Sequence, residues 1–258
     1  MTAQPLSFAS LGSGSRGNAT LVKKGATCIL VDCGFSLAQL KKRLARLGLG
    51  IEALTAILVS HEHGDHLRGV GVLARQTGIP VWMTPGTAAA PDIARIPGLR
   101  LLNCHQPLEI DEILVQPFPV PHDAREPCQF LLGDGCRRFG ILTDCGRETR
   151  HITALLDGCD ALMIECNHDV GLLAASAYPP AVRQRIAGGF GHLSNDQAAK
   201  LLEGLDLSRL QHLVTAHLSE HNNSSALVRQ SLATALDCPP EWIAIACQEA
   251  GLAWREII

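Results

Sequence analysis

The densest chemistry in the chain lies in Ser60-His61-Glu62-His63-Gly64-Asp65-His66, where three imidazoles and a flanked carboxylate fall within six residues. Imidazole nitrogens and carboxylate oxygens are donors that divalent transition metals accept. The segment follows an apolar run at 56–59 and precedes a stretch of helical period at 67–76, so it occupies the C-terminal end of a predicted strand. Side chains alternate along an extended chain, so His61 and His63 can point together while a turn at Gly64 redirects Asp65 and His66. Two adjacent metal positions are thereby possible. A polar surface loop is the bland alternative, and so many donors in so short a stretch argue against it.

Four ligands cannot complete two coordination spheres, so partners are expected at other strand ends. His122 follows the run 113–120, Asp144 closes 139–143 and His217 closes 212–216. A lone strand-end His or Asp is usually a satisfied structural residue. Three of them at the ends of separate strands form a stronger signal. His105, His151 and His212 lack neighbouring ligands and read as surface or core residues, and His221 carries little signal. His168 stands evenly between substrate contact and structural role. Cys33, Cys145 and Cys166 flank these motifs but read as small buried residues, because a His/Asp set leaves no need for thiolate ligands.

The elements that must carry these groups follow from periodicity. Short apolar or β-branched runs at 6–11, 20–22, 28–32, 56–60, 80–84, 113–120, 129–132, 139–144, 161–165, 212–216, 243–246 and 252–255 predict strands. Helical periods occur at 37–47, 67–76, 150–156, 180–187, 195–205 and 224–236. The strand-rich first half and the later alternation fit an α/β (α+β) four-layer αββα sandwich, with a doubly wound sheet as the competing architecture. With 258 residues, 47% hydrophobic and 4% aromatic, the chain is expected to form one domain over 1–258.

No stretch of about 18 uninterrupted apolar residues occurs and no leader pattern opens the chain, so no membrane partner is expected. Ten scattered cysteines without a CxxC predict reduced thiols and a cytoplasmic setting. The net charge of −3 supplies no global basic field. A polyanion must be gripped locally, and the candidates are Lys23-Lys24, the Lys41-Lys42-Arg43-Arg46 run, Arg137-Arg138, Arg147 with Arg150, and Arg183 with Arg185. Gly12, Gly14 and Gly17 satisfy a dinucleotide fingerprint, but a β-like Ala19-Thr20-Leu21-Val22 follows where that site needs a helix. A tight loop near the metals is the better reading, either offering amides to a phosphate or merely turning the chain, with Ser13 and Asn18 as candidate substrate or supporting contacts.

These motifs resemble the HxHxDH pattern of the metallo-β-lactamase superfamily, followed by a distant His, Asp and His, and they span most of the chain. The resemblance implies one metal held by His61, His63, His122 and Asp144, and a second by Asp65, His66, Asp144 and His217. Asp144 would bridge, Asp65 is counted with the catalytic groups as well, and Asp32 matches an early aspartate that holds the ligand loop. The segments Gly12 to Asn18, Glu165-Cys166-Asn167-His168-Asp169, Gly191-His192-Leu193-Ser194-Asn195 and His217 to Asn223 look like the YycJ/WalJ-like branch, related to RNase Z and to cyclic phosphodiesterases. By that resemblance His192 is the catalytic histidine and Glu165 its support.

The expected reaction is phosphodiester hydrolysis by a hydroxide generated on two divalent ions, with zinc expected first and manganese or iron(II) as alternatives. The branch implies a nuclease, in its finer form a DNA exonuclease, with DNA or RNA as partner, and a homodimer would supply a further grip on a polymer. Fewer than about eighty residues separate Asp144 from His217, too few for a large nucleic-acid-gripping insertion, and no glycine-rich tRNA-binding arm is evident. A small or cyclic phosphodiester is therefore the alternative substrate, and a non-catalytic regulatory protein the third reading.

Overall fold

The computed structural model describes residues 4–93 and 96–258. Two seven-stranded sheets face one another. The first contains β1 (Leu6–Gly12), β2 (Ala19–Lys24), β3 (Thr27–Val31), β4 (Ala56–Leu58), β5 (Val81–Met83) and β6 (Leu99–Leu101). The second contains β7 (Leu108–Ile110), β8 (Ile113–Pro119), β9 (Cys128–Gly133), β10 (Arg138–Leu142), β11 (Ala161–Glu165), β12 (His212–Ala216) and β13 (Ala244–Ile245). The C-terminal β14 (Leu252–Ile257) returns to the first sheet and pairs antiparallel with β1.

Alternation along the strands sorts the apolar residues into layers. Ile29 and Val31 of β3 join Phe130, Phe139, Met163 and Val214 of the opposite sheet in a core between the sheets. Cys28 and Leu30 face the other way, against Leu40 and Leu44 of α1 (Leu37–Arg46) and Leu73 of the helix over Val70–Thr77. On the far side Leu162 and Ile164 of β11 meet the helices over Arg150–Leu156, Asn195–Glu203 and Ser225–Leu236. Three apolar layers separating four layers of structure make the expected αββα sandwich. Phe8 stacks on Phe139 at 4.1 Å across the central core.

The helix expected over 67–76 is two helices, α2 (Gly64–Leu67) and α3 (Val70–Thr77). A Cβ at Gly69 would collide with the Phe35 carbonyl oxygen and crowd Cys33 Sγ, so the chain must break there to pack on the β3 end. The short α4 (Pro85–Ala88) precedes α5 (Arg150–Leu156), and α6 (Val170–Ala175) precedes α7 (Pro180–Ala187), α8 (Asn195–Glu203) and α9 (Ser225–Leu236). Strands β6 and β7 and helices α4 and α6 were not legible as periodic runs. Among the described residues no helix is long and apolar enough to cross a membrane.

Strand direction places the chemistry. β3 and β4 are parallel, as are β10, β11 and β12, while β8 reaches β10 through two antiparallel pairings. The segments that follow β3, β4, β8, β10, β11 and β12 meet at one edge of the sandwich, where ligands of α/β folds commonly bind.

Candidate metal centre

Three turns at that edge have unusual backbone. Asp32, Asp144 and His217 have φ values of 61°, 53° and 54°, in the left-handed region that non-glycine residues seldom occupy. Such strain persists only where surroundings demand it, and it concentrates at functional sites.

The side chains gather in two adjoining groups. His61, His63 and His122 each present a donor atom within 4.8 Å of the others, and His63 Nδ1 lies 3.2 Å from His122 Nε2. Asp65, His66 and His217 form the second group, with His217 Nε2 at 3.3 Å and His66 Nε2 at 3.5 Å from Asp65 Oδ2. Asp144 adjoins both. Its Oδ2 is 3.2 Å from His66 Nε2, and its Oδ1 is 3.4 Å from His217 Nε2 and 3.9 Å from His122 Nε2. Two ligands of a tetrahedral ion at about 2.1 Å stand roughly 3.4 Å apart, so these separations suit donors sharing a cation.

Buried polar atoms without partners point the same way. His61 Nε2 and Asp144 Oδ2 are sequestered with no hydrogen bond. Leaving such atoms unsatisfied is costly, and a cation facing both removes the cost. Burial, followed by the neighbouring His66, pushes His61 well below the ordinary histidine value, which keeps it neutral and its lone pair available. Burial alone would also lower His66 and His217, yet Asp144 and the other carboxylates hold both well above it, the mark of a strongly negative pocket.

An outer ring of hydrogen bonds orients the ligands. Asp32 Oδ2 accepts from His66 Nδ1 at 2.8 Å and from Ser60 Oγ at 2.8 Å, which directs His66 Nε2 inward. His122 Nδ1 donates to the Gly191 carbonyl at 3.0 Å. Glu165 is fully buried: Oε1 lies 2.8 Å from His192 Nδ1 and 3.1 Å from His217 Nδ1, and Oε2 accepts the amides of Cys145 and Leu193, each at 3.1 Å. Its oxygens are thus occupied by protein donors, which suits an orienting role over ligation. Burial would raise its pKa, but His192 and then His217 outweigh that and hold it at about 2. In return Glu165 keeps His192 above the ordinary histidine value against the effect of burial. The His192 ring stacks on His217 at 5.2 Å and lies 5.2 Å from His122.

Of the two readings of the glycine loop at 12–18, the structural turn fits its hydrogen bonds better. The amide of Gly12 goes to Ser10 Oγ, that of Gly14 to Asn18 Oδ1, that of Arg16 to Gln248 Oε1 and that of Gly17 to the Gly14 carbonyl, so these four are not free for a phosphate. Ser13 Oγ accepts the His217 amide at 2.9 Å and donates to Asn18, and Asn18 Nδ2 lies 3.3 Å from Asp65 Oδ2. Both therefore brace the second group. His168 belongs to none of the metal-ligand groups and lines a cavity of about 650 Å³ with residues of α6, α7 and α8. Of the candidate polyanion grips, Arg43 is corrected to a structural residue: it is buried and donates to the carbonyls of Leu11, Gln248 and Glu249.

Sequence reasoning assigned no role to Ser60, Asn167 or Gly191. Ser60 Oγ lies 2.9 Å from His61 Nδ1, and Asn167 Nδ2 donates to the His217 carbonyl at 3.0 Å. Both stand inside motifs already singled out, which was their only signal. Gly191 acts through a carbonyl, which every residue possesses.

Comparison with known proteins decides the family. A beta-lactamase superfamily domain matches residues 27–217. Exodeoxyribonuclease YycJ of Bacillus anthracis is 33% identical over 236 residues, covering 90% of this chain and 89% of the relative. The chain belongs to the metallo-β-lactamase superfamily, in its YycJ/WalJ-like branch. Exodeoxyribonuclease WalJ of Streptococcus pneumoniae is 31% identical over 235 residues, covering 89% of this chain and 87% of that one. The crystal structure of the metallo-β-lactamase fold protein YhfI from Bacillus subtilis aligns with a TM-score of 0.74 over 98% of this chain and all of its own, and at 19% identity it speaks for the fold alone. Membership of this branch, with a His/Asp cluster suited to divalent metal, makes the protein a metal-dependent hydrolase.

Proposed function

We propose that the protein is a two-cation phosphodiesterase acting on nucleic acid, a DNA exonuclease in the form closest to its relatives. His61, His63, His122 and Asp144 would hold one cation, and Asp65, His66, Asp144 and His217 the other, with zinc expected and manganese or iron(II) as alternatives. When bound, such a pair supplies Lewis acidity and an activated water. The chain's own residues do the rest. Glu165 keeps a proton on His192 Nδ1 and the ring in place, and His192 Nε2 is the nitrogen left to deliver a proton to the leaving oxygen.

The carrying observation is the single buried carboxylate of Glu165 bridging His192 and His217. It couples a proton donor to the ligand set, and a departing alkoxide, unlike a thiolate, needs that proton. The names of the two relatives favour DNA, and ten free thiols fit a reducing, cytoplasmic setting.

Hydrolysis of bis(p-nitrophenyl) phosphate and of end-labelled DNA should cease with a chelator and return with Mn²⁺ or Zn²⁺. His192→Ala should lower kcat on DNA, whose leaving group is an alkoxide, by about 10²- to 10⁴-fold with metal content per chain unchanged. A variant that sheds metal and unfolds would make His192 structural. Turnover of cyclic nucleotides without any cleavage of DNA would move the substrate to small phosphodiesters.

A further inference from the structure

The chain has six phenylalanines, and Phe8, Phe35, Phe118, Phe130 and Phe139 are fully or almost fully buried. Phe190 is 58% exposed. An aromatic ring left in water contributes nothing to the core, and its position here is far from arbitrary. It precedes Gly191, whose carbonyl accepts from His122 Nδ1, and stands two residues before His192.

The backbone around it is held by close packing. A Cβ at Gly146 would collide with the Gly189 and Phe190 backbone, and one at Gly191 would collide with the Arg185 and Ile186 carbonyls. The Gly191 amide donates to the Gly188 carbonyl at 2.8 Å and the His192 amide to that of Ile186 at 2.9 Å. The loop is thereby clamped between the turn after Asp144 and the last turn of α7. Arg147, from that same turn after Asp144, places its guanidinium 5.6 Å from the Phe190 ring centroid, within the range of a cation–π contact. Arg147 is itself exposed.

We propose that Phe190 and Arg147 form a stacking platform for one base of single-stranded nucleic acid at the lip of the metal centre. The inference rests on the phosphodiesterase reading and adds a substrate class to it. An exposed aromatic ring backed by arginine is the arrangement that accepts a base by its π face without regard to sequence, while the guanidinium adds attraction for the adjoining phosphate. Phe190 stands two residues before His192 and Arg147 three after Asp144, so a nucleotide stacked on the pair would be held near the groups that handle its phosphate and registered for cleavage.

The test compares single-stranded oligonucleotides with abasic ones of the same length and charge, using the metal-loaded protein. Wild type should show a KM for the base-bearing strand about 5- to 100-fold below that for the abasic strand. In Phe190→Ala that ratio should fall towards one, in Phe190→Tyr it should persist, and in Arg147→Ala it should fall in part. Phe190→Trp adds a direct readout: its fluorescence should be quenched by the base-bearing strand and not by the abasic one. A wild-type ratio near one, or a Phe190→Ala variant that keeps the wild-type ratio, overturns the platform while leaving the phosphodiesterase reading standing. A protein that cleaves bis(p-nitrophenyl) phosphate but neither oligonucleotide overturns the polymer substrate, and the platform with it.

Discussion

Glu165 carries more of the site than any ligand, because one carboxylate oxygen faces two imidazoles. Its Oε1 meets both His192 Nδ1 and His217 Nδ1, so its charge sets the tautomer of the proposed proton donor and of a candidate metal ligand together. Replacing a carboxylate that orients a ligand histidine costs about 10- to 100-fold in metal affinity. Glu165→Gln is therefore expected to lose metal to a competing chelator by that factor and to lose turnover as well, whereas His192→Ala loses turnover alone. Metal content measured after graded chelator dialysis separates them. Full metal retention in Glu165→Gln would mean that Glu165 serves only His192. The candidate ligands were legible in the sequence, since His61 to His66 crowd together and His122, Asp144 and His217 each end a readable strand. The bracing atoms were harder to see. Asn167 and Ser60 act on neighbours distant in sequence or ring orientation, and Gly191 through its backbone carbonyl.

At the scale of elements, helix starts hold the catalytic loops. Ser194 caps α8 by accepting the Gln197 amide, and Gln197 returns a bond to the Ser194 amide, a reciprocal cap placed two residues after His192. Ser194→Ala should cost about 1 kcal/mol in urea unfolding. Because the same turn leads into His192, kcat should fall with metal content kept, and an unchanged kcat would uncouple the cap from the site. The regular elements were readable because their apolar residues recur with one period: β11 and α5 occupy the expected residues. The break between α2 and α3 was not, because it comes from Gly69 packing against Cys33 and Phe35, a contact between segments far apart in the chain. Strands β6 and β7 lie at the edges of their sheets with most of their residues exposed or half-buried, so they lack the apolar run that marked the equally short β4 and β5.

At the scale of the whole molecule, the candidate cation site draws on both sheets. Asp65 and His66 follow β4 of the first sheet, while His122, Asp144 and His217 follow strands of the second, so ions shared among them would bridge the halves of the sandwich. A ligand that binds only the folded state stabilises it by about 2.7 kcal/mol at a hundred times its dissociation constant. Thermal unfolding should therefore shift to lower temperature with chelator and recover when Zn²⁺ or Mn²⁺ is added, and an unmoved transition would mean that no ion spans the sheets. The donor types, their order along the chain and the strands that carry them were determined by the sequence alone, because they depend on residue chemistry and local period. Only the tertiary structure decided that Asp144 adjoins both donor groups, that Glu165 joins His192 to His217, that the amides of Gly12, Gly14, Arg16 and Gly17 are already paired, and that Phe190 faces outward. Each of these depends on distances between segments brought together by folding, which no local period encodes.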